Sequence, residues 1–249
     1  MPIQPPKKPH PISPHLKHLT ARVSDACRRF RLLEDGDHIL VAVSGGKDSL
    51  TLLELLGRRQ RIHVPSIRVE AVHVRMREVD YMTDTQYLQD FADRLGVPLH
   101  VREVSFASDY HGRPKPVCFI CSTVRRSVIF NLAQELGCNK IAFGHHQDDI
   151  IRTALMNLTF QGHFSTMPAR LQMRKMPLTL IRPLCAVPEA LIREWADEQG
   201  YRPQAKRCPH ETETTRTAIH RVFDEMERLS PDARNSLWRA LVDAGKLEE

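Results

Sequence analysis

No run of about 18 apolar residues occurs in this 249-residue chain, so no membrane-spanning helix is expected. The apolar core of a secretion signal is missing as well. In its place the first 14 residues, MPIQPPKKPHPISP, hold six prolines and predict an extended arm. Without a signal, the six cysteines are not expected to form a disulfide framework. The expected location is cytoplasmic, where clustered thiols bind metal or do chemistry. There is no internal repeat. Neither sign of charge dominates, with 36 Lys and Arg against 30 Asp and Glu. The net charge of +6 and pI near 9.1 permit an anionic partner such as RNA without requiring one. The 41% hydrophobic content is enough for a sizeable core.

What the sequence does contain is alternation. Leu16, Leu19, Val23, Cys27, Phe30 and Leu33 recur at spacings of three or four, so residues 15–33 predict an amphipathic helix. Short apolar runs at HILVAV, IRVEAVHV, LHVREV and KIAF predict strands, with another at LTLIRPL. Helical patterns lie between them, near 49–59, 83–95, 121–136, 148–160 and 188–199. Two more follow near 212–228 and 231–243. Strand-helix alternation predicts an α/β fold, a doubly wound parallel sheet with an N-terminal helix and C-terminal helices. The expected organisation is an arm over 1–14, an α/β body over 15–200 and a helical extension over 201–249.

The segment HILVAVSGGKDSLTLLELL leaves a strand through Ser44, Gly45, Gly46, Lys47, Asp48 and Ser49 and enters a helix at once. Glycines let backbone approach a ligand closely. The helix start supplies free N–H groups and the positive end of a dipole, and Lys47 adds a mobile charge. Phosphate is the natural occupant. The loop is not a Walker A motif, which would need Gly at Val41 and Ser or Thr at Asp48. A second segment, KIAFGHHQDDIIRTALMNLTFQG, ends a strand at Gly144 and opens a helix near Asp148. It sets His145, His146, Asp148 and Asp149 on the same sheet edge. Carboxylates there suit either Mg²⁺ or simple helix capping.

CFIC places Cys118 and Cys121 in a C-x-x-C, and KRCPH places Cys208 far along the chain. The pair alone fits a redox dithiol, half of a zinc site or part of an iron–sulfur site. Cys27, Cys138 and Cys185 lie in apolar settings and read as buried small hydrophobes.

VAVSGGKDSLTLLELL resembles the PP-loop of the ATP pyrophosphatase superfamily, whose fold is the adenine nucleotide alpha-hydrolase-like sheet expected above. GHHQDD resembles the matching segment of tRNA 2-thiocytidine synthetases and tRNA lysidine synthetases. The similarity to the first of these covers roughly residues 20 to 228. One departure is that CPHET carries no second cysteine beside Cys208. The absence of C-x-x-C pairs at either end sets the chain apart from zinc-finger relatives that thiolate uridine.

The resemblance implies ATP and Mg²⁺ at Ser44, Gly45, Gly46, Lys47, Asp48, Ser49, Gly144, His145 and Asp148, with Lys47, Asp48 and Asp149 catalytic. It implies a [4Fe-4S] cluster on Cys118, Cys121 and Cys208. The implied reaction adenylates and thiolates a pyrimidine of tRNA, most simply cytidine. Its sulfur would come from a donor such as a cysteine desulfurase, and a homodimer is compatible with it. Arg170, Arg174, Lys175, Arg202, Lys206 and Arg207 are the expected phosphate contacts. The competing expectations are a sulfur transferase for a small molecule or another base, and a non-catalytic nucleotide-binding or redox-sensing protein.

Overall fold

Strand β1 (Asp37–Ala42) lies between two cores, with Ile39 and Val41 in one and Leu40 in the other. A strand buried on both faces reads as a continuous apolar run, which is why HILVAV shows no alternation. In the computed structural model, residues 13–81, 84–106, 117–202, 206–207 and 215–248 are described. Most of the expected arm therefore lies outside the described residues. Ser13 accepts a hydrogen bond from the His15 N–H at 3.2 Å and caps helix α1 (Pro14–Arg29). The helix ends before the expected residue 33. Arg31 turns left-handed at φ 49°, and the Leu32 N–H returns to the Cys27 carbonyl at 2.9 Å.

From β1 the sheet grows outward in both directions. On one side lie β2 (Ile67–Met76) and then β4 (Leu99–Val104). On the other lie β5 (Lys140–Ala142), β7 (Thr179–Ile181) and β6 (Arg170–Gln172). All neighbours pair parallel except β6, which runs antiparallel to β7. The sequence does not signal β6, because this edge strand has Leu171 as its single apolar residue, whereas the equally short β5 and β7 lie inside apolar runs. The LTLIRPL run does form β7.

Helices cover both faces, as a doubly wound sheet requires. α1, α2 (Lys47–Arg59), α3 (Thr85–Leu95), α5 (Gln147–Gln161) and α6 (Glu189–Glu198) contribute to the core that holds Ile39. α4 (Val117–Glu135) covers the opposite face with Ile120, Ile129 and Leu132. It starts four residues before the expected 121, so the C-x-x-C lies within the first two turns of the helix. Gly144 sits where a parallel strand ends and the chain turns to the next helix.

The C-terminal helices α7 (Thr215–Leu229) and α8 (Ala233–Asp243) pack on α5 and join the main core. Phe223 is fully buried there, under the guanidinium groups of Arg152 at 5.7 Å and Arg234 at 5.1 Å. The Ala169 N–H bonds to the Leu247 carbonyl at 2.9 Å, which fastens the chain end beside β6. Phe223→Ala should cost about 3–5 kcal/mol in a denaturant titration, because it empties a site lined on two sides by cations that cannot follow it inward.

Candidate functional site

In an open parallel sheet, ligands bind beyond the carboxyl ends of the strands where the strand order reverses. Here the order reverses between β1 and β5. The loop after β1 is Ser44–Gly46, and the loop after β5 leads through Gly144 and His145 to His146. Both sequence motifs therefore meet at one crevice.

The first loop is tied internally. Gly45 has φ +88°, a conformation that glycine adopts without steric cost. The Ser49 hydroxyl donates to the Gly46 carbonyl at 2.9 Å and accepts from the Ser44 N–H at 3.2 Å. Below the loop, His73 on β2 is buried and bonds the Val43 carbonyl through Nδ1 at 2.8 Å. A carbonyl only accepts, so Nδ1 carries the proton. Burial holds the ring's pKa below the ordinary imidazole range. The two loops also touch through backbone. A Cβ on Gly144 would stand 3.2 Å from the Asp48 carbonyl group and from the Ser49 nitrogen.

A residue outside both motifs completes the crevice. Glu189 begins α6, in the loop that follows β7, and its Oε1 accepts from Lys47 Nζ at 2.9 Å. Burial alone would raise its carboxyl. The Lys47 hydrogen bond and charge, with His146 and Arg152 behind them, outweigh burial and hold it at about 2. Lys47 is likewise lowered by burial, but Glu189 and Asp48 outweigh this and raise it. The sequence offered one signal for Glu189: an acidic residue at a helix start after another parallel strand.

His146 caps the approach to α5 and sits among three carboxylates, with Asp149 at 3.5 Å, Asp148 at 3.7 Å and Asp48 at 3.8 Å. Asp149 also accepts from the His146 N–H at 3.1 Å, so the capping role weighed for it is present. Asp148 differs from the other two. It is buried, it accepts from the Glu189 N–H at 2.8 Å, and it pairs with Arg234 of α8 at 2.5 Å. Asp48 and Asp149 remain partly open, at 29% and 37% side-chain exposure. Asp48 Oδ1 receives no hydrogen bond, although Lys47 Nζ lies 3.2 Å away. A hard cation brought in with phosphates fits that donor set. His145 lies at the rim, its ring 5.8 Å from that of Phe143.

Cys118 and Cys121 lie one turn apart on α4, where side chains three apart share a face. Cys118 is exposed, and Cys121 is partly buried against the second core. Two thiols so placed suit a shared iron–sulfur or metal centre. Cys208 lies outside the described residues, and among those residues no group of three His, Cys, Asp or Glu side chains is set to hold a metal. The backbone just before it, β8 (Lys206–Arg207), pairs antiparallel with β3 (Asp80–Tyr81), past the carboxyl end of β2. Cys27, Cys138 and Cys185 have thiols pushed up to about 12 by burial, so they stay protonated and are poor ligands. The expected cationic residues are not gathered in one patch. Arg170 lies on β6 at one sheet edge, whereas Arg202 stacks on Tyr87 of α3 toward the other. The side chains of Lys206 and Arg207 are outside the described set.

The PP-loop domain family matches residues 15–225. The tRNA-cytidine(32) 2-sulfurtransferase of Acidovorax ebreus is 31% identical over 229 residues, spanning 90% of this chain and 72% of that protein. The protein of the same name from Acinetobacter baumannii is 33% identical over 230 residues, with 91% and 76% covered. Among solved structures, the U34-tRNA thiolase NcsA from Methanococcus maripaludis with its [4Fe-4S] cluster superposes with a TM-score of 0.79. It shares 20% identity, covers 94% of this chain and is itself covered over 81%, so the likeness is one of fold. No helix among the described residues is long and apolar enough to cross a membrane.

Two outcomes follow from the geometry. Gly144→Ala should weaken ATP binding roughly tenfold, read by equilibrium titration, because main chain on both sides must shift by tenths of an ångström before the new methyl fits. Glu189→Gln should lower the melting temperature at pH 7. Since the native carboxyl titrates near 2, against 4.5 when unfolded, its contribution is complete above 4.5. The gap between variant and parent should narrow as pH falls toward 2.

Proposed function

The chain belongs to the PP-loop domain family and to the tRNA-cytidine(32) 2-sulfurtransferases, and we propose from this that it is an ATP-dependent tRNA sulfurtransferase converting a cytidine to 2-thiocytidine. The observation that carries the reading is the meeting of the SGGKDS and GHHQDD loops at the switch between β1 and β5. A cytoplasmic location goes with a tRNA substrate.

The chemistry asks for a poor leaving group to be made a good one. In this reading the cytidine C2 oxygen attacks the α-phosphorus of ATP, and the α–β bond breaks. Pyrophosphate leaves into the loop, where the first-turn N–H groups of α2 and the helix dipole face its charge. Lys47 adds a positive charge that counts more as pyrophosphate separates. Its pairing with Glu189 keeps it ionised and aimed across the crevice. Ser44 and Ser49 keep the loop in the conformation that presents those N–H groups. Sulfur then bonds to C2, and AMP departs with the former oxygen.

Asp48 and Asp149 would hold a Mg²⁺, which would supply positive charge against the nucleotide phosphates. Asp148 positions Glu189 rather than the nucleotide, since its oxygens are engaged by protein. Cys118, Cys121 and Cys208 would hold a [4Fe-4S] cluster, which when bound supplies an iron able to carry sulfur to the activated carbon. The sulfur comes from a separate donor, either sulfide itself or a cysteine desulfurase whose persulfide sulfur a thiol reductant brings to the sulfide level.

The test is an anaerobic assay with labelled ATP, iron-loaded protein, a sulfide source and tRNA. It should yield AMP, pyrophosphate and 2-thiocytidine. Lys47→Ala should lower turnover by about 100-fold or more and leave iron content unchanged. ADP as the main nucleotide product would overturn the reading. AMP formed with a small molecule but never with tRNA would move the acceptor outside RNA.

A further inference from the structure

A second cavity opens well away from the nucleotide loop, between α2, α3 and the turn that follows α6. Its volume is about 510 Å³, and its walls carry Arg58, Arg61, Arg94 and Arg202 beside the rings of Tyr87 and Phe91. It begins seven residues along α2 from Lys47, at Glu54, and reaches Arg61. At 1.5 Å per residue that is about 10–20 Å from the loop.

Its charge is one-sided. Four guanidinium groups face a single lining carboxylate, Glu54. Glu54 is saturated from inside: Arg58 donates to it at 2.6 Å, Trp195 Nε1 at 3.0 Å, and the Tyr201 hydroxyl as well. Arg61 spends a donor on the Arg94 carbonyl at 3.3 Å, and among the described residues neither Arg61 nor Arg94 meets a carboxylate. Arg94 lies over the Phe91 ring at 5.3 Å and Arg202 over the Tyr87 ring at 5.2 Å, and Arg202 is also paired with Asp84 at 3.8 Å. Stacking holds the Arg94 guanidinium plane without using its N–H edge, which an anion can take.

We infer that this cavity is a second anion site, holding a phosphate-bearing nucleotide of the tRNA backbone away from the reacting base. The inference rests on the tRNA reading above. The volume is that of a site for a nucleotide-sized group rather than a lone ion. A triphosphate would bring a divalent cation, and the one lining carboxylate is already bound by Arg58, Trp195 and Tyr201. A phosphodiester carries a single charge and needs only the arginines. The turn that shapes one wall is held in place, since the Arg202 N–H donates to the Tyr87 hydroxyl at 3.2 Å and Gly200 turns at φ +60°.

The experiment measures tRNA binding against salt for the parent, for Arg61→Gln/Arg94→Gln and for Arg61→Lys/Arg94→Lys, with ATP affinity measured on each. Arg58 is left alone because Glu54 depends on it. In the Gln pair, tRNA affinity at low salt should fall about tenfold, and the slope of log affinity against log salt should shrink by roughly one to two. ATP affinity should not change. The Lys pair should recover most of the slope, which a collapsed fold would not. Equal tRNA affinity and slope in parent and Gln pair would overturn the inference and leave the functional reading intact. Weakened ATP binding with tRNA unaffected would overturn it in favour of a free nucleotide. A parent that binds no tRNA would remove the functional reading itself, and the inference with it.

Discussion

Asp148 is a charge taken almost wholly out of water, at 2% exposure. A carboxylate so placed is tolerable only when its oxygens are answered, and removing one partner of such a pair costs roughly 3–5 kcal/mol. The answers come from α6, through the Glu189 N–H, and from α8, through Arg234. Arg152, one turn along α5, stands 3.7 Å away and reaches on to Glu189 at 3.4 Å. The Glu189 side chain then grips Lys47. A buried charge on α5 thus dictates where α6 begins, and α6 dictates where the loop lysine points. The C-terminal helices are part of that arrangement, because Arg234 arrives on one of them and Phe223 lies beneath it.

The parts legible in the sequence were those written locally. Ser44–Ser49 announces itself because a strand, two glycines and a helix follow one another without a gap. The same holds for Gly144–Asp149. What the sequence hides are partnerships between distant segments. Glu189 looks like an ordinary first-turn acid, and Arg234 like a solvated cation on a polar helix. Only the sheet order, with β1, β5 and β7 adjacent, makes them neighbours of Lys47 and Asp148. Strand β6 was hidden for a different reason, being an edge strand with one apolar residue. Of the cationic residues expected to face RNA, Arg170 and Arg202 lie toward opposite edges of the sheet.

The cysteines divide by burial rather than by number. Cys27, Cys138 and Cys185 lie among aliphatic side chains, where a thiolate would be unsolvated. Cys118 opens to solvent at the start of a helix whose lower turns are core. The helix therefore anchors the pair on an apolar stem and leaves Cys118 reachable.

The contact of Gly144 with the Asp48–Ser49 backbone makes the two loops a single seam. Main chain meets main chain there because position 144 carries no Cβ, so the gauge of the crevice is set by backbone and by that one missing atom. Exchanging Ser44, Lys47 or His145 would re-line the walls without moving them apart. A protein engineer seeking room for a bulkier nucleotide would find purchase at Gly144 rather than in the side chains that line the walls. A larger change would require re-registering β5 against β1, which would turn Ile141 out of its core.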